Sequence, residues 1–275
     1  SSTCVFLDFP NLGINKDALF LAGDCFSGGG NRVFMWDMNK LINGLSVTMK
    51  QVQCSSSTQS LGATKNYDSN SNAAYFATTY AGNSSQIMLR SITNPNSSPT
   101  LHSNYLSVPS YSWPPNAAQM GTSNQAATID YRIKNGVVRN GKMWICHNTG
   151  NNNACQVRWY EIDLNGWPTS GCSPSLAQSG TINYGSGQHT WFGDINVSDN
   201  GTAAISFSRS SVSQYISVEC ALRSASDPSG TFRSPELLQT STSAETGSRW
   251  GDYSGLEEDP LIPGKYWSHN EFRTS

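Results

Sequence analysis

Charge is scarce in this chain. Of 275 residues only 13% are charged, 17 basic against 19 acidic, for a net charge of −2. No basic stripe exists to neutralise phosphates, which excludes nucleic acid as the natural partner. Long apolar runs are also lacking: none approaches the roughly 20 residues of a membrane helix, so no membrane span is expected. Helical periodicity is nearly absent. Its best case, MWDMNKLINGL, is short and broken by Gly44. With hardly any helix to follow it, GGG at 28–30 reads as a loop and not as a phosphate cradle. There is no Cys-x-x-Cys pair, only Cys146 has an adjacent histidine, and His102, His147, His189 and His269 show no ligand spacing. Zinc is excluded on that pattern. The opening SSTCVFLDFP has neither a charged n-region nor an apolar h-region, so any export signal is expected to have been removed already.

Aromatic residues are plentiful, with 8 Trp and 11 Tyr, more than a disordered chain carries. Few lysines, many Ser, Thr and Asn, and 7 cysteines point to a secreted, extracellular protein. Glycosylation-type triplets start at Asn83, Asn96, Asn196 and Asn200, a short pattern that chance supplies often in such a composition.

Short β-rich runs such as VFMWDM, AAYFATTY, KMWICH, QVRWYEI and AAISFS recur between Gly, Asn, Ser and Pro. They follow a repeating plan, a polar-led strand, a turn, then an apolar strand. The units open near 7, 59, 128, 190 and 249. A strand unit that cannot bury both faces alone, repeated five times, predicts an all-β fold. The reading is a β-propeller, a single domain over 1–275, of five blades with four antiparallel strands each. Asn140-Gly141 and Asn200-Gly201 suit tight hairpin turns. The fifth unit stops after its second strand, at HNEFRTS. Its blade is therefore expected to be short, to have lost strands from a longer precursor, or to take them from a partner at an open edge. The same plan predicts two disulfides, Cys4–Cys25 at matching ends of two antiparallel strands and Cys146–Cys155 across a hairpin. It leaves Cys54, Cys172 and Cys220 unassigned.

Several landmarks in fixed order carry a family resemblance. They are Asp8-Phe-Pro-Asn-Leu-Gly13, Arg139-Asn-Gly with Trp144 and His147, Val157-Arg-Trp-Tyr-Glu161, and Asp199 to Ser208. Most specific is Arg249-Trp-Gly-Asp-Tyr-Ser254, followed by Asp259-Pro260 and Trp267 to Phe272. On these the chain resembles secreted bacterial and fungal propeller proteins with an RWGDYS element, mostly uncharacterised or loosely called sialidase-like. The resemblance implies fold and secretion more than any activity. Ser198 to Thr202 lacks the Trp that completes a sialidase Asp-box and reads as an ordinary hairpin.

In a propeller the first strand of each blade lines the channel. The polar residues there are Asp8, Gln59, Asp130 with Arg132, His189 with Asp194, and Arg249 with Asp252. If the units are equivalent, these groups converge. Asp8, Asp130, Asp194 and Asp252 are then candidate catalytic carboxylates for a glycosidic bond. Trp113, Trp191 and Trp250 could stack on sugar faces and His189 could bond hydroxyls, with Arg132 and Arg249 as further ligand-binding candidates. The competing expectation is that these groups pair with one another and tie the blades together. Arg132, Arg158 and Arg249 could imitate the sialidase arginine triad, but Arg158 falls on a third strand. Glu257, Glu258 and Asp259 offer oxygen ligands for calcium, although a solvated acidic turn is the commoner explanation for such a cluster, and no other cofactor is implied. The expected role is binding or scaffold, the partner a carbohydrate or cell-surface glycan, with protein partners or self-association at the fifth blade. The alternative is a glycoside hydrolase or lyase at the channel mouth.

Overall fold

The computed structural model describes residues 4, 6–26, 30–54, 60–80, 82–247 and 249–274. Gln59 and the first two glycines of the GGG run lie outside them. The fold is all-β: the only α-helix among the described residues is the five-residue α1 (Met38–Ile42). It is capped by Asp37, whose side chain accepts from the Lys40 N–H, and Gly44 follows it at φ 64°.

Within each group of four, strands neighbour one another in chain order. β1 (Leu7–Ile14), β2 (Ala18–Cys25), β3 (Asn31–Asp37) and β4 (Lys50–Gln53) form an antiparallel meander. β5 (Gly62–Asn66), β6 (Ala74–Thr79), β7 (Gln86–Thr93) and β8 (Thr100–Ser107) form a second. Next come β9 (Asn135–Arg139), β10 (Lys142–Asn151), β11 (Ala154–Asp163) and β12 (Ser175–Ile182). β13 (His189–Val197), β14 (Ala203–Ser211), β15 (Gln214–Arg223) and β16 (Glu236–Thr240) form a separate antiparallel sheet. β17 (Gly255–Glu258) and β18 (Tyr266–His269) make a hairpin.

The chain divides into two compact units. Unit 1 comprises 1–110, 132–143 and 162–176; unit 2 comprises 111–131, 144–161 and 177–275. In unit 1 the first strands of successive meanders lie side by side and parallel, β1 against β5 and β5 against β9. Gly13 permits the first of these approaches: a Cβ there would sit 2.6 Å from the Thr64 carbonyl oxygen. The core of the unit is built by Phe20, Met35, Leu61, Phe76 and Ile92, with Phe20 meeting Phe76 edge-on at 6.0 Å. In unit 2 the core gathers Cys155, Trp191, Phe192, Ile216 and Trp250.

Two expected unit openings are displaced. Residues 128–134 and 249–254 are not strand; β9 starts at Asn135 and β17 at Gly255. In the first, Ile129 adopts φ 63°, which breaks the pleat. Glu257 and Glu258 consequently lie within β17, and only Asp259 begins the turn.

Cys4 and Cys25 are disulfide-bonded, with Cα atoms 5.4 Å apart. Cys146 and Cys155 are not paired; both are buried thiols. The reason is register. β10 runs on to Asn151, and the turn falls at Asn152-Asn153, both in left-handed conformation. Cys155 thus lies beside the turn, opposite Gly150 in a two-residue hairpin, and Cys146 is four residues further back along β10, about 13 Å distant along the strand at ~3.3 Å per residue. Cys54, Cys172 and Cys220 are also free.

Candidate functional site

A left-handed residue recurs near the unit openings. Phe9 has φ 52°, Ile129 63° and Phe192 49°, unusual for bulky side chains. At Phe9 and Phe192 it sits in a β-bulge, between Asp8 and Asn11 and between Trp191 and Asp194. Bulges re-aim the side chains beside them. Local hydrogen bonds hold both kinks. Asn11 Nδ2 donates to Phe9 O at 2.9 Å, and Ser254 Oγ donates to Phe192 O at 2.7 Å.

In unit 1 the kink sets up a polar cluster. Asp8 stands directly opposite Asp24 across β1 and β2, so both side chains leave the same face of the pair. Asp24 is engaged: its two oxygens accept from Asn31 Nδ2 and Ser60 Oγ. Ser60 Oγ accepts in turn from Arg132 at 3.2 Å, and that guanidinium lies 4.0 Å over the Phe9 ring. The Asp8 carboxylate makes no hydrogen bond or ion pair among the described residues. Asp24, Asn31 and Ser60 escaped sequence reasoning. The one available signal was Cys25, whose expected bond to Cys4 places its neighbour opposite the start of β1.

In unit 2 most candidate groups are built into the fold. Trp191 is fully buried and Trp250 is 2% exposed, both within the core. Neither ring offers a face to a sugar, because the chain here needs bulky apolar packing under β13. Trp250 Nε1 donates to Ser208 Oγ at 3.3 Å. His189 Nδ1 accepts the Cys155 N–H at 3.2 Å, and burial lowers its pKa. It is a neutral strand-bridging group. Asp194, 2% exposed, accepts the Leu256 N–H at 2.7 Å, and Asn196 Nδ2 donates to Leu256 O at 3.1 Å. These bonds tie β13 to β17. Asn196 is therefore buried and engaged, whereas Asn83, Asn96 and Asn200 are exposed. Arg249 and Asp252 form an exposed ion pair with each other, of a kind worth little. Asp130 is half-buried and engaged in its own interactions.

The acidic turn is likewise satisfied. Asp259 accepts from the N–H groups of Leu261 and Ile262 and from Trp267 Nε1, and these bonds lower its pKa. Glu258 accepts the Gly264 N–H at 3.0 Å. No group of three His, Cys, Asp or Glu suited to a metal ion occurs among the described residues.

One aromatic residue stands apart. Trp113 is 63% exposed, yet its backbone is fixed. Ser112 N–H donates to Thr149 Oγ1 at 3.1 Å, Ser112 Oγ donates to Gly150 O at 2.8 Å, and Gly150 N–H donates to Ser112 O at 3.0 Å. Pro114 and Pro115 stiffen the chain that follows. The indole meets Tyr131 edge-on at 5.4 Å, and the contacts continue inward through Tyr111, His147 and Tyr160. The result is an indole on a fixed backbone, open to solvent.

No protein-family profile matches this sequence, and no curated protein matches it. Among solved structures the chain is similar to a GH43_12 retrieved from a capybara gut metagenome, at 13% identity and a TM-score of 0.41. The match covers 94% of this chain and 49% of that one, so this chain spans about half its length.

Proposed function

We propose that this is a secreted β-propeller protein of the RWGDYS type that binds carbohydrate, with the exposed indole of Trp113 as its stacking platform. The recurring four-strand meander supports the propeller reading, as do the parallel neighbours β1, β5 and β9, which run as inner strands of adjacent blades would. The Cys4–Cys25 disulfide supports an extracellular setting. No helix is long and apolar enough to cross a membrane among the described residues.

Trp113 carries the binding reading. A glycan array followed by titration calorimetry tests it. Trp113→Ala is expected to weaken binding of the best glycan at least tenfold, about 1.4 kcal/mol, while leaving thermal unfolding unchanged. Unaltered affinity in the variant sinks the proposal.

A hydrolase is the second reading, favoured by Asp8 facing Asp24: an unengaged carboxylate beside one held by hydroxyl and amide donors, an asymmetry that acid–base pairs use. It expects turnover of a bound glycan that is lost in Asp8→Asn and retained in Asp252→Asn.

A further inference from the structure

Unit 1 contains a cavity of about 500 Å³ apart from the candidate site residues described above. Its walls are the β5–β6 connection at 68–73, the ends of β7 and β8 at Thr93 and His102, the β9–β10 turn at Gly141, and the 164–169 loop. That volume lies within the range of small-molecule sites.

The walls are held before any ligand arrives. Asp68 caps the β9–β10 turn by accepting the N–H groups of Asn140 and Gly141, at 2.5 and 2.7 Å. Asn66 Nδ2 donates to Ala73 O at 2.8 Å, and Asn15 Nδ2 donates to Asn72 O at 2.9 Å. The Tyr75 hydroxyl donates a hydrogen bond to Trp167 O at 3.0 Å, and the two rings, both buried, pack 5.9 Å apart behind the cavity. Burial raises the Tyr75 pKa, so the phenol stays neutral.

The open groups are neutral hydrogen-bonding side chains. Asn70, Asn72 and Thr169 are exposed, and their side chains have no hydrogen-bond partner among the described residues. His102 uses Nε2 on Thr93 Oγ1 at 3.0 Å, which turns its other ring nitrogen to other partners. Among the described residues no lysine or arginine lines the cavity, and the one carboxylate there, Asp68, is engaged by two backbone amides. An anion would meet no countercharge there. A cation would meet one carboxylate whose two oxygens each already accept a backbone N–H. A neutral polyhydroxyl molecule matches this lining, with side-chain amides and hydroxyls for its oxygens over a floor that the buried Tyr75 and Trp167 close.

We infer that this cavity is a binding site for a neutral saccharide of one or two rings, separate from Trp113 and independent of the proposal made for it. Because Trp167 lies in the wall, its fluorescence reports occupancy.

The test titrates the whole chain with glucose, galactose, mannose, lactose, maltose and cellobiose, using calorimetry and indole fluorescence, with inorganic phosphate and calcium chloride as charged probes. At least one neutral sugar is expected to bind saturably. Thr169→Trp, which blocks the mouth from an exposed position, and Asn72→Ala are each expected to weaken it at least tenfold. Trp113→Ala is expected to leave that binding intact. Both cavity variants alter exposed side chains, and circular dichroism verifies their fold. The inference is overturned if no neutral sugar saturates at tens of millimolar, if phosphate or calcium displaces the sugar, or if Trp113→Ala abolishes binding that Thr169→Trp leaves untouched.

Discussion

His147 shows how far a single residue's neighbours decide its chemistry. Its Nδ1 lies 3.0 Å from the Tyr131 carbonyl, which can only accept, and its Nε2 lies 2.9 Å from the Tyr160 hydroxyl. The neutral ring with its proton on Nδ1 satisfies both, donating to the carbonyl and accepting from the phenol. Burial, with Arg158 as a second cause, lowers its pKa from 6.5 to about 3. The sign of the consequence follows. Between those two values the unfolded chain binds a proton that the native state does not, so stability rises with pH across this window and is complete above 6.5. At about 1.36 kcal/mol per unit, acidification from pH 7 to 4.5 removes up to roughly 3 kcal/mol through this residue. His189, lowered by the same cause, acts in the same direction. Urea unfolding at the two pH values checks the assignment. His147→Gln, whose amide can also donate and accept, is expected to destabilise at pH 7 by about 1–3 kcal/mol and to show a smaller acid loss than the parent. An identical acid loss in both proteins would remove His147 from the account.

At the scale of elements, the Arg249–Ser254 segment divides into a surface part and a structural part. Arg249 and Asp252 pair in solvent, while Ser254 and Leu256 bond to Phe192, Asp194 and Asn196 of β13. Asp194→Ala leaves the Leu256 N–H without its acceptor and is expected to cost about 1–3 kcal/mol. Asp252→Ala is expected to cost under about 1 kcal/mol. Denaturant midpoints of the two variants provide the comparison, and equal losses would contradict the division. This asymmetry was only half legible in the sequence. Asp194 and Asp252 occupy similar places in their repeats, and nothing in residue type says that one is buried at a strand tie. Turns were more legible, because Asn140 and Gly141 declare positive φ through their chemistry, at 55° and 72°. The Cys4–Cys25 pair could be read because the strand ends coincide. Cys146–Cys155 could not, since the length of β10 beyond Cys146 is set by pairing and not by any local signal. Trp191 and Trp250 looked like ligand platforms for the same reason: alternation along a strand says which residues share a face, not whether water reaches it.

At the scale of the whole molecule, the order of strands was the most legible feature, since it needs only the repeat. Its exception is the hairpin β17–β18, where β18 has β17 as its only strand partner among the described residues. Such an edge presents N–H and C=O groups to any strand that approaches. Around it in the same unit, Trp267 is 59% exposed, Ile262 52% and Leu238 50%. Edge strands that avoid pairing carry charge or proline, and Tyr266-Trp-Ser-His269 carries neither an acidic residue nor a lysine. An antiparallel pairing of two copies through β18, about a two-fold axis, is the association this edge predicts. Sedimentation velocity is therefore expected to reveal a reversible dimer that grows with protein concentration. Ser268→Lys places a charge on the edge without touching the core, because the Ser268 side chain is exposed and bonds locally, to Asn270 at 2.7 Å. This variant should remain monomeric at concentrations where the parent associates. A parent that stays monomeric throughout, or a lysine variant that dimerises equally well, would rule out pairing through β18.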